Sequence, residues 1–304
     1  PSSYLHNSRQ HLFTLPNSED CCNSGCNPCI FDIYEKQLLL YNKYLECGEF
    51  DDTSSEDNGL SQLKYTAFIV VENKTICKLH KLISFKRGTT NKSKVWWKPG
   101  DHFLFKHCGA ETSCTRAYTP VKAENRDDYD FSIIVKEYNN GLVSPSLCSL
   151  VKGDTTLWRG PYGPYNLQPN VYDKIFMVAQ GTGIAPFITI IEHILKNDED
   201  NTKVTLLYCT ECDDTVLFRD KLYSFQSFWN FKYEIFLSST STDFKLKYQE
   251  PIRKHKLSTE YLSNLKPSLG KNQFLLCGSP IFNAVYDEYL RNISGIDKNY
   301  IVMF

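Results

Sequence analysis

The rhythm of apolar and polar positions changes twice along this chain. Residues 1 to about 20 are polar and irregular and read as a tail. In "IFDIYEKQLLLYNKYL" the residues Phe31, Tyr34, Leu38, Tyr41 and Leu45 form a helical stripe. "ECGEFDDTSSEDNG" follows with six acids and no base, the composition of a solvated linker. From Tyr65 the texture is that of strands. "YTAFIVVE", "TICKLHKLISF", "HFLFKHC", "DFSIIVKEY" and "DTTLWRG" are short runs separated by Gly, Pro, Asn and Asp. Such runs predict a small antiparallel barrel. After Tyr172, "KIFMVA", "KVTLLYC", "KYEIFLS", "QFLLCG" and "YIVMF" read as strands, with helical stretches between most of them. That series predicts a parallel sheet with helices on both faces. The expected layout is a leader over residues 1–60, an antiparallel β-barrel over 61–169 and a Rossmann-like α/β domain over 170–304.

One turn in the last region carries chemistry. "AQGTGIAPFITI" places Gly181 and Gly183 in the first two glycine places of G-x-G-x-x-G, with Pro186 where the third belongs. Proline is tolerated in the first turn of a helix, because the amide it lacks has no partner there. Phe187, Ile190, Ile191, Ile194 and Leu195 continue at helical spacing, and "KIFMVA" before the turn reads as a buried parallel strand. Strand, glycine turn and proline-started helix together form an anion-binding helix N-terminus; a plain tight turn is the blander alternative.

Composition narrows the classes. The 304 residues, 41% of them hydrophobic, have room for two domains and proper cores. A formal net charge of -1 gives no electrostatic case for nucleic acid, and no apolar run approaches a membrane span. Twelve cysteines would suit a disulfide scaffold only in a much shorter secreted chain. A reduced, intracellular monomer is expected, cytoplasmic first and mitochondrial second, since a chain beginning at Pro1 leaves room for a targeting segment.

Further candidates lie in the strand-rich half. In "CTRAYTP", Arg116 and Tyr118 share one face of an extended strand, which suits a phosphate beside a flat ring; a surface Arg next to a core Tyr is the alternative. "GLVSPSLCSL" places Gly141 and Ser144 before a short helix, whose first amides would face an anion. "WRGPYGPY" supplies a Gly-Pro corner after a strand.

The order of these motifs is what carries a resemblance. R-x-Y-T, G-x-x-S, G-P-x-G, G-T-G-x-x-P and a strand ending in C-G-x-P, from Leu63 to Phe304, resemble the ferredoxin–NADP reductase superfamily, and within it the NADH–cytochrome b5 reductase branch. The resemblance implies a barrel that binds FAD and a Rossmann-like domain that binds NADH. Hydride would pass from nicotinamide C4 to flavin N5, and single electrons then to a haem protein such as cytochrome b5. It implies that Arg116 pairs with the flavin pyrophosphate, that Tyr118 stacks on the isoalloxazine and that Thr119 lies beside N5, with Ala117 between them. Gly141, Leu142, Val143 and Ser144 would cradle the pyrophosphate, and the strand Val135, Lys136 to Tyr138 would border the cofactor. Gly181, Thr182, Gly183 and Pro186 would hold the NADH phosphates, with Cys277 and Gly278 flanking the nicotinamide. Cys277 alone reads as a small apolar residue at a strand end. The ending "VMF" is similar to the family's aromatic terminus or is plain packing. Ala117, Leu142, Val143, Ala185 and Ser279 depart from the residues usual in the family.

Beyond the shared motifs, "CTECDDTVLFRD" sets Glu211, Asp213 and Asp214 just behind a strand end, where a carboxylate accepts a ribose 2′-hydroxyl and repels a 2′-phosphate. Those acids equally suit the start of a helix. Lys94, Lys98 and Lys106 would meet an acidic acceptor, or are a scattered solvated face. The leader resembles the oxidoreductase-like segment through Cys21, Cys22, Gly25, Cys26, Cys29, Asp32, Tyr34 and Glu35. Cys21, Cys22, Cys26 and Cys29 would clasp zinc or an iron–sulfur cluster, or form a reduced thiol group or a disulfide staple. The rival reading is a metal- or partner-binding adaptor whose reductase fold has lost turnover.

Overall fold

The computed structural model describes residues 58–62, 64–88, 94–108, 113–122, 128–239, 245–265, 270–293 and 296–304, with Phe31, Asp32, Tyr34, Glu35, Leu38 and Leu39 of the leader. Those six leader residues are helical, as their stripe predicts. Cys21, Cys22, Cys26 and Cys29 lie outside the described residues.

Six strands build the first sheet: β1 (Thr66–Cys77), β2 (His80–Arg87), β3 (His102–Cys108), β4 (Ser113–Tyr118), β5 (Phe131–Lys136) and β6 (Thr155–Tyr162). All pairings are antiparallel, in the order β4-β3-β6-β1-β2-β5. Period-two alternation turns Phe68, Phe85, Phe103, Phe105, Phe131 and Trp158 inward. Most of their rings meet edge-on or tilted, Phe103 to Phe131 at 4.9 Å and Phe105 to Trp158 at 5.1 Å, while Phe85 stacks on Phe131 at 5.1 Å. A short helix, α1 (Val143–Ser149), closes this core with Val143, Leu147 and Cys148.

The break expected near Asn73 is not there. β1 runs through Asn73 to Cys77, and the chain turns at Lys78 and Leu79 instead. Asn73 spends its amide elsewhere, donating to the carbonyls of Cys148 at 3.2 Å and Leu150 at 2.7 Å and so fixing the end of α1. Lys81 Nζ donates to the same Cys148 carbonyl at 2.7 Å.

The second sheet has the order β10-β9-β8-β7-β11-β12 and is parallel throughout. Its strands are β7 (Lys174–Gln180), β8 (Lys203–Thr210), β9 (Phe231–Leu237), β10 (Ile252–Arg253), β11 (Asn272–Cys277) and β12 (Ile301–Met303). The two-residue β10 carries no strand signal in the sequence. One face packs against α2 (Ala185–Leu195) and α3 (Arg219–Phe225), the other against α4 (Pro280–Glu288). Phe187, Ile190, Ile191, Ile194 and Leu195 of α2 are all buried, as their spacing predicts. The chain lays β7, β8, β9 and β10 outward on one side and returns to place β11 on the other. The order therefore reverses between β7 and β11, the switch point where ligands sit in sheets of this kind. The first sheet reaches this half through β5: Ile134 belongs to the core formed around α2, and β5 touches the glycine turn after β7.

Candidate functional site

Two motifs meet at the switch point. After β7, Gly181–Ile184 form one 3₁₀ turn and α2 follows with Pro186 in its first turn. Ala185 N donates back to the Thr182 carbonyl and Pro186 has no amide, so the amides left without a side-chain cap at this end belong to the Gly181–Ile184 turn. The two glycines serve different needs. Gly181 has φ +54°, and a Cβ there would meet no atom within 4 Å. Gly183 is pressed against the neighbouring strand, where a Cβ would stand 2.3 Å from the Cys277 carbonyl oxygen.

That neighbour is the end of β11, whose Cys277 pairs with Ala179 of β7. Cys277 is half-buried, and burial pushes its thiol up to about 12, so it is a neutral sulfur near pH 7. Gly278 is confined by Phe282, 2.5 Å from a would-be Cβ, and by Gln180 at 2.9 Å. Gln180 also accepts from the Ser279 amide at 3.1 Å, and Ser279 caps α4 by accepting from Phe282 N. Gln180 ties the two loops together; a lone Gln at a strand end gives no sequence signal for that role. Phe304 packs edge-on against Tyr165 at 5.4 Å and Phe187 at 5.6 Å.

On the antiparallel side, register sets Arg116 opposite Phe105 and Tyr118 opposite Phe103, so both lie on one face as alternation predicts. Ala117, opposite Leu104, faces the other way. Arg116 Nη1 donates to the Thr115 carbonyl at 2.8 Å, and no carboxylate meets the guanidinium among the described residues. Tyr118 packs edge-on against Trp158 at 6.0 Å, and burial raises its phenol far above the usual range. Thr119 follows directly after the strand and is half-buried.

The other edge strand closes the same region. Val135 is buried, Lys136 is half-buried, and β5 ends at Lys136 rather than running on to Tyr138. The Tyr138–Gly141 turn interrupts it, with Gly141 N donating to the Tyr138 carbonyl at 2.8 Å. The exposed Tyr138 ring lies 5.6 Å from Lys136 Nζ and within electrostatic reach of Tyr118. Ser144 lies inside the first turn of α1 rather than before it, and its Oγ accepts from Tyr138 N at 3.1 Å. Ser144 thus holds the turn, and a Cβ at Gly141 would come 2.9 Å from that oxygen. Leu142 is exposed and Val143 buried, and α1 starts without a side-chain cap. Of the three lysines, Lys94 and Lys98 are exposed, whereas Lys106 lies over the Tyr65 ring at 5.3 Å, with Arg159 at 4.7 Å from the same ring.

Comparison with known proteins fits this geometry. Residues 67–167 match the oxidoreductase FAD-binding domain, 177–288 the oxidoreductase NAD-binding domain, and 14–47 the oxidoreductase-like protein N-terminal model. The chain is 30% identical over 277 residues to a Homo sapiens protein described as NADH-cytochrome b5 reductase-like, covering 88% of this chain and 87% of that one. The chain belongs to the NADH–cytochrome b5 reductase-like family. A Mus musculus relative of the same description is 29% identical, with coverage of 88% and 87%. The cytochrome b5 reductase domain of Ulva prolifera nitrate reductase shares the fold, with a TM-score of 0.68 at 22% identity over 81% of this chain and all (100%) of that one. A Neisseria gonorrhoeae ferredoxin NADP+ reductase, solved with FAD and NADP, does so at a TM-score of 0.63 and 20% identity, over 79% and 98%.

The reductase-like chain is an FAD- and NAD-binding oxidoreductase of the cytochrome b5 reductase type. Its residues suit both groups: two uncapped helix N-termini, an Arg fork met by no described carboxylate, and open ground at Gly181 all favour phosphate oxygens. No helix among the described residues is long and apolar enough to cross a membrane.

Proposed function

We propose that this chain oxidises NADH and delivers the electrons singly to a haem protein such as cytochrome b5. Residues 61–169 hold FAD, residues 170–304 hold the nucleotide, and 1–60 form a Cys-rich leader. FAD held there would supply the redox chemistry, a two-electron hydride acceptor at N5 that can also give up electrons one at a time. The chain's part is to hold, orient and exclude water. Arg116 offers its fork to the pyrophosphate, and the amides from Gly141 to Ser144 neutralise the same charge. Tyr118 gives an aromatic face and Thr119 a hydroxyl at the reacting end. Val135, Lys136 and Tyr138 line the other side. Gly181, Thr182, Gly183 and Pro186 hold the nucleotide phosphates, while Cys277 and Gly278 flank the nicotinamide. A thiol held neutral there contributes shape and polarisability, not charge.

The observation that carries this reading is the junction of Gly183 with Cys277 at the switch point, against the edge of β5. The described cysteines are all free thiols, which supports an intracellular setting. The purified chain should be yellow, bleach on anaerobic addition of NADH, and then reduce ferric cytochrome b5. A colourless protein that takes up no FAD, or a yellow one that NADH does not bleach, would refute the proposal. Bleaching without transfer to cytochrome b5 would refute the acceptor alone.

A further inference from the structure

The acidic turn after β8 is followed by three bases that are already engaged. Glu211 and Asp214 are exposed, and neither has an ion pair among the described residues. Three bases on and beside α3 are paired: Lys247 with Asp220, Lys221 with Glu192, and Arg219 with Glu250. The last pair is of a different kind. Arg219 Nε donates to Glu250 Oε1 at 2.6 Å and Nη2 to Oε2 at 2.5 Å, a fork-to-fork bond. Nη2 also donates to the Lys245 carbonyl at 2.7 Å. The Glu250 carboxylate is fully buried at 0% exposure, and Lys247 N donates to it at 3.0 Å. Arg219 retains 24% exposure. Arg219 begins α3 four residues after the acidic turn closes at Thr215, and the Glu250 hydrogen bonds, then the charges of Glu250, Asp220 and Asp213, hold its guanidinium above its ordinary pKa.

We propose that Glu250 sets nucleotide choice at one remove: it holds Arg219 in a buried two-bond pair and so denies the ribose edge the cation that a 2′-phosphate needs. Free carboxylates at Glu211 and Asp214 then face the 2′-position without Arg219 to offset them. The inference rests on the reading that NADH is the donor and that its adenosine ribose lies at the turn after β8. In this arrangement Glu250 is a positioning residue that touches no nucleotide. Removing its charge releases Arg219, whose side chain has the reach and fork geometry for a phosphate.

The test is nucleotide selectivity, with a binding measurement that needs no turnover. The wild type should favour NADH over NADPH by roughly a hundredfold in kcat/KM with ferricyanide as acceptor. Glu250→Ala should shift that ratio toward NADPH by about tenfold or more, with kcat/KM for NADH within about twofold of wild type. Calorimetry should show tighter binding of 2′,5′-ADP by Glu250→Ala and unchanged binding of 5′-AMP. The double variant Arg219→Ala with Glu250→Ala should lose the gain, because the gain belongs to the released Arg. Glu250→Gln keeps the volume of the buried side chain and should shift the ratio in the same direction by less, which covers an unstable alanine variant. Unchanged selectivity in Glu250→Gln and Glu250→Ala, or a gain that survives loss of Arg219, overturns the inference while 5′-AMP still binds. Failure of wild type to bind 5′-AMP or to oxidise NADH overturns the functional reading instead.

Discussion

Gly183 and Cys277 approach so closely that a methyl group on Gly183 would lie 2.3 Å from the Cys277 carbonyl oxygen. That oxygen is backbone at the end of β11 and cannot swing aside as a side chain would. Gly183→Ala should therefore push the glycine turn away from β11, costing about 1–3 kcal/mol of stability and weakening NADH binding at least about tenfold. Gly181→Ala makes the useful contrast. It meets no atom but keeps φ +54°, so it should cost only about 1 kcal/mol of strain. Urea unfolding and NADH titration of the two variants check the order. A Gly183→Ala protein that binds NADH normally would contradict the close-approach argument.

Arg116→Ala should lose FAD more than NADH. Among the described residues its Nη1 is held only by the Thr115 carbonyl, which aims the fork without neutralising it. Removing a charged bidentate partner of a pyrophosphate should cost about 2–3 kcal/mol, or roughly a hundredfold in FAD affinity. Flavin content after gel filtration measures it, and full loading would remove Arg116 from the site.

Cys277→Ser should slow flavin reduction by NADH several-fold while FAD content stays unchanged. Burial holds the thiol up to about 12, so the rate should carry no thiol ionisation between pH 6 and 9. Stopped-flow bleaching checks both statements. A wild-type rate in the serine variant, or a pH step that the substitution abolishes, would count against this role.

Local chemistry was legible where a residue's signal is spent locally. The α2 stripe, the proline-started helix and the shared face of Arg116 and Tyr118 follow from periodicity and register alone. What failed were residues whose partners are distant in sequence. Asn73 reads as a turn signal, yet it stays in β1 because α1 takes its amide. Ser144 reads as a free helix start, yet Tyr138 N claims its hydroxyl. Gln180 and Glu250 give no signal at all, since their work is to hold Ser279 and Arg219. The four leader cysteines, with the zinc or iron–sulfur reading they carry, remain outside the described residues.

Stability should fall on mild acidification, and His102 should be a main reason. Its Nε2 is buried without a hydrogen-bond partner among the described residues, its ring faces Tyr162 at 6.0 Å, and burial lowers its pKa from 6.5 to about 4. The folded chain takes this proton near pH 4, whereas the unfolded chain takes it near 6.5. Between those values the unfolded state binds more protons, so stability drops as pH falls through that window. The full gap is worth at most about 3 kcal/mol. His80 acts in the same direction: burial lowers its pKa, with Lys136 adding to the effect and Glu211 and the Lys78 carbonyl opposing it. Asp101 acts the other way, because burial raises its pKa and favours the protonated, folded form at lower pH. Urea midpoints at pH 7.5 and 5.0 should therefore separate in the wild type and draw together in His102→Phe, which keeps a ring in place without a proton to gain. An equal separation in the variant would show that the acid sensitivity belongs to other groups.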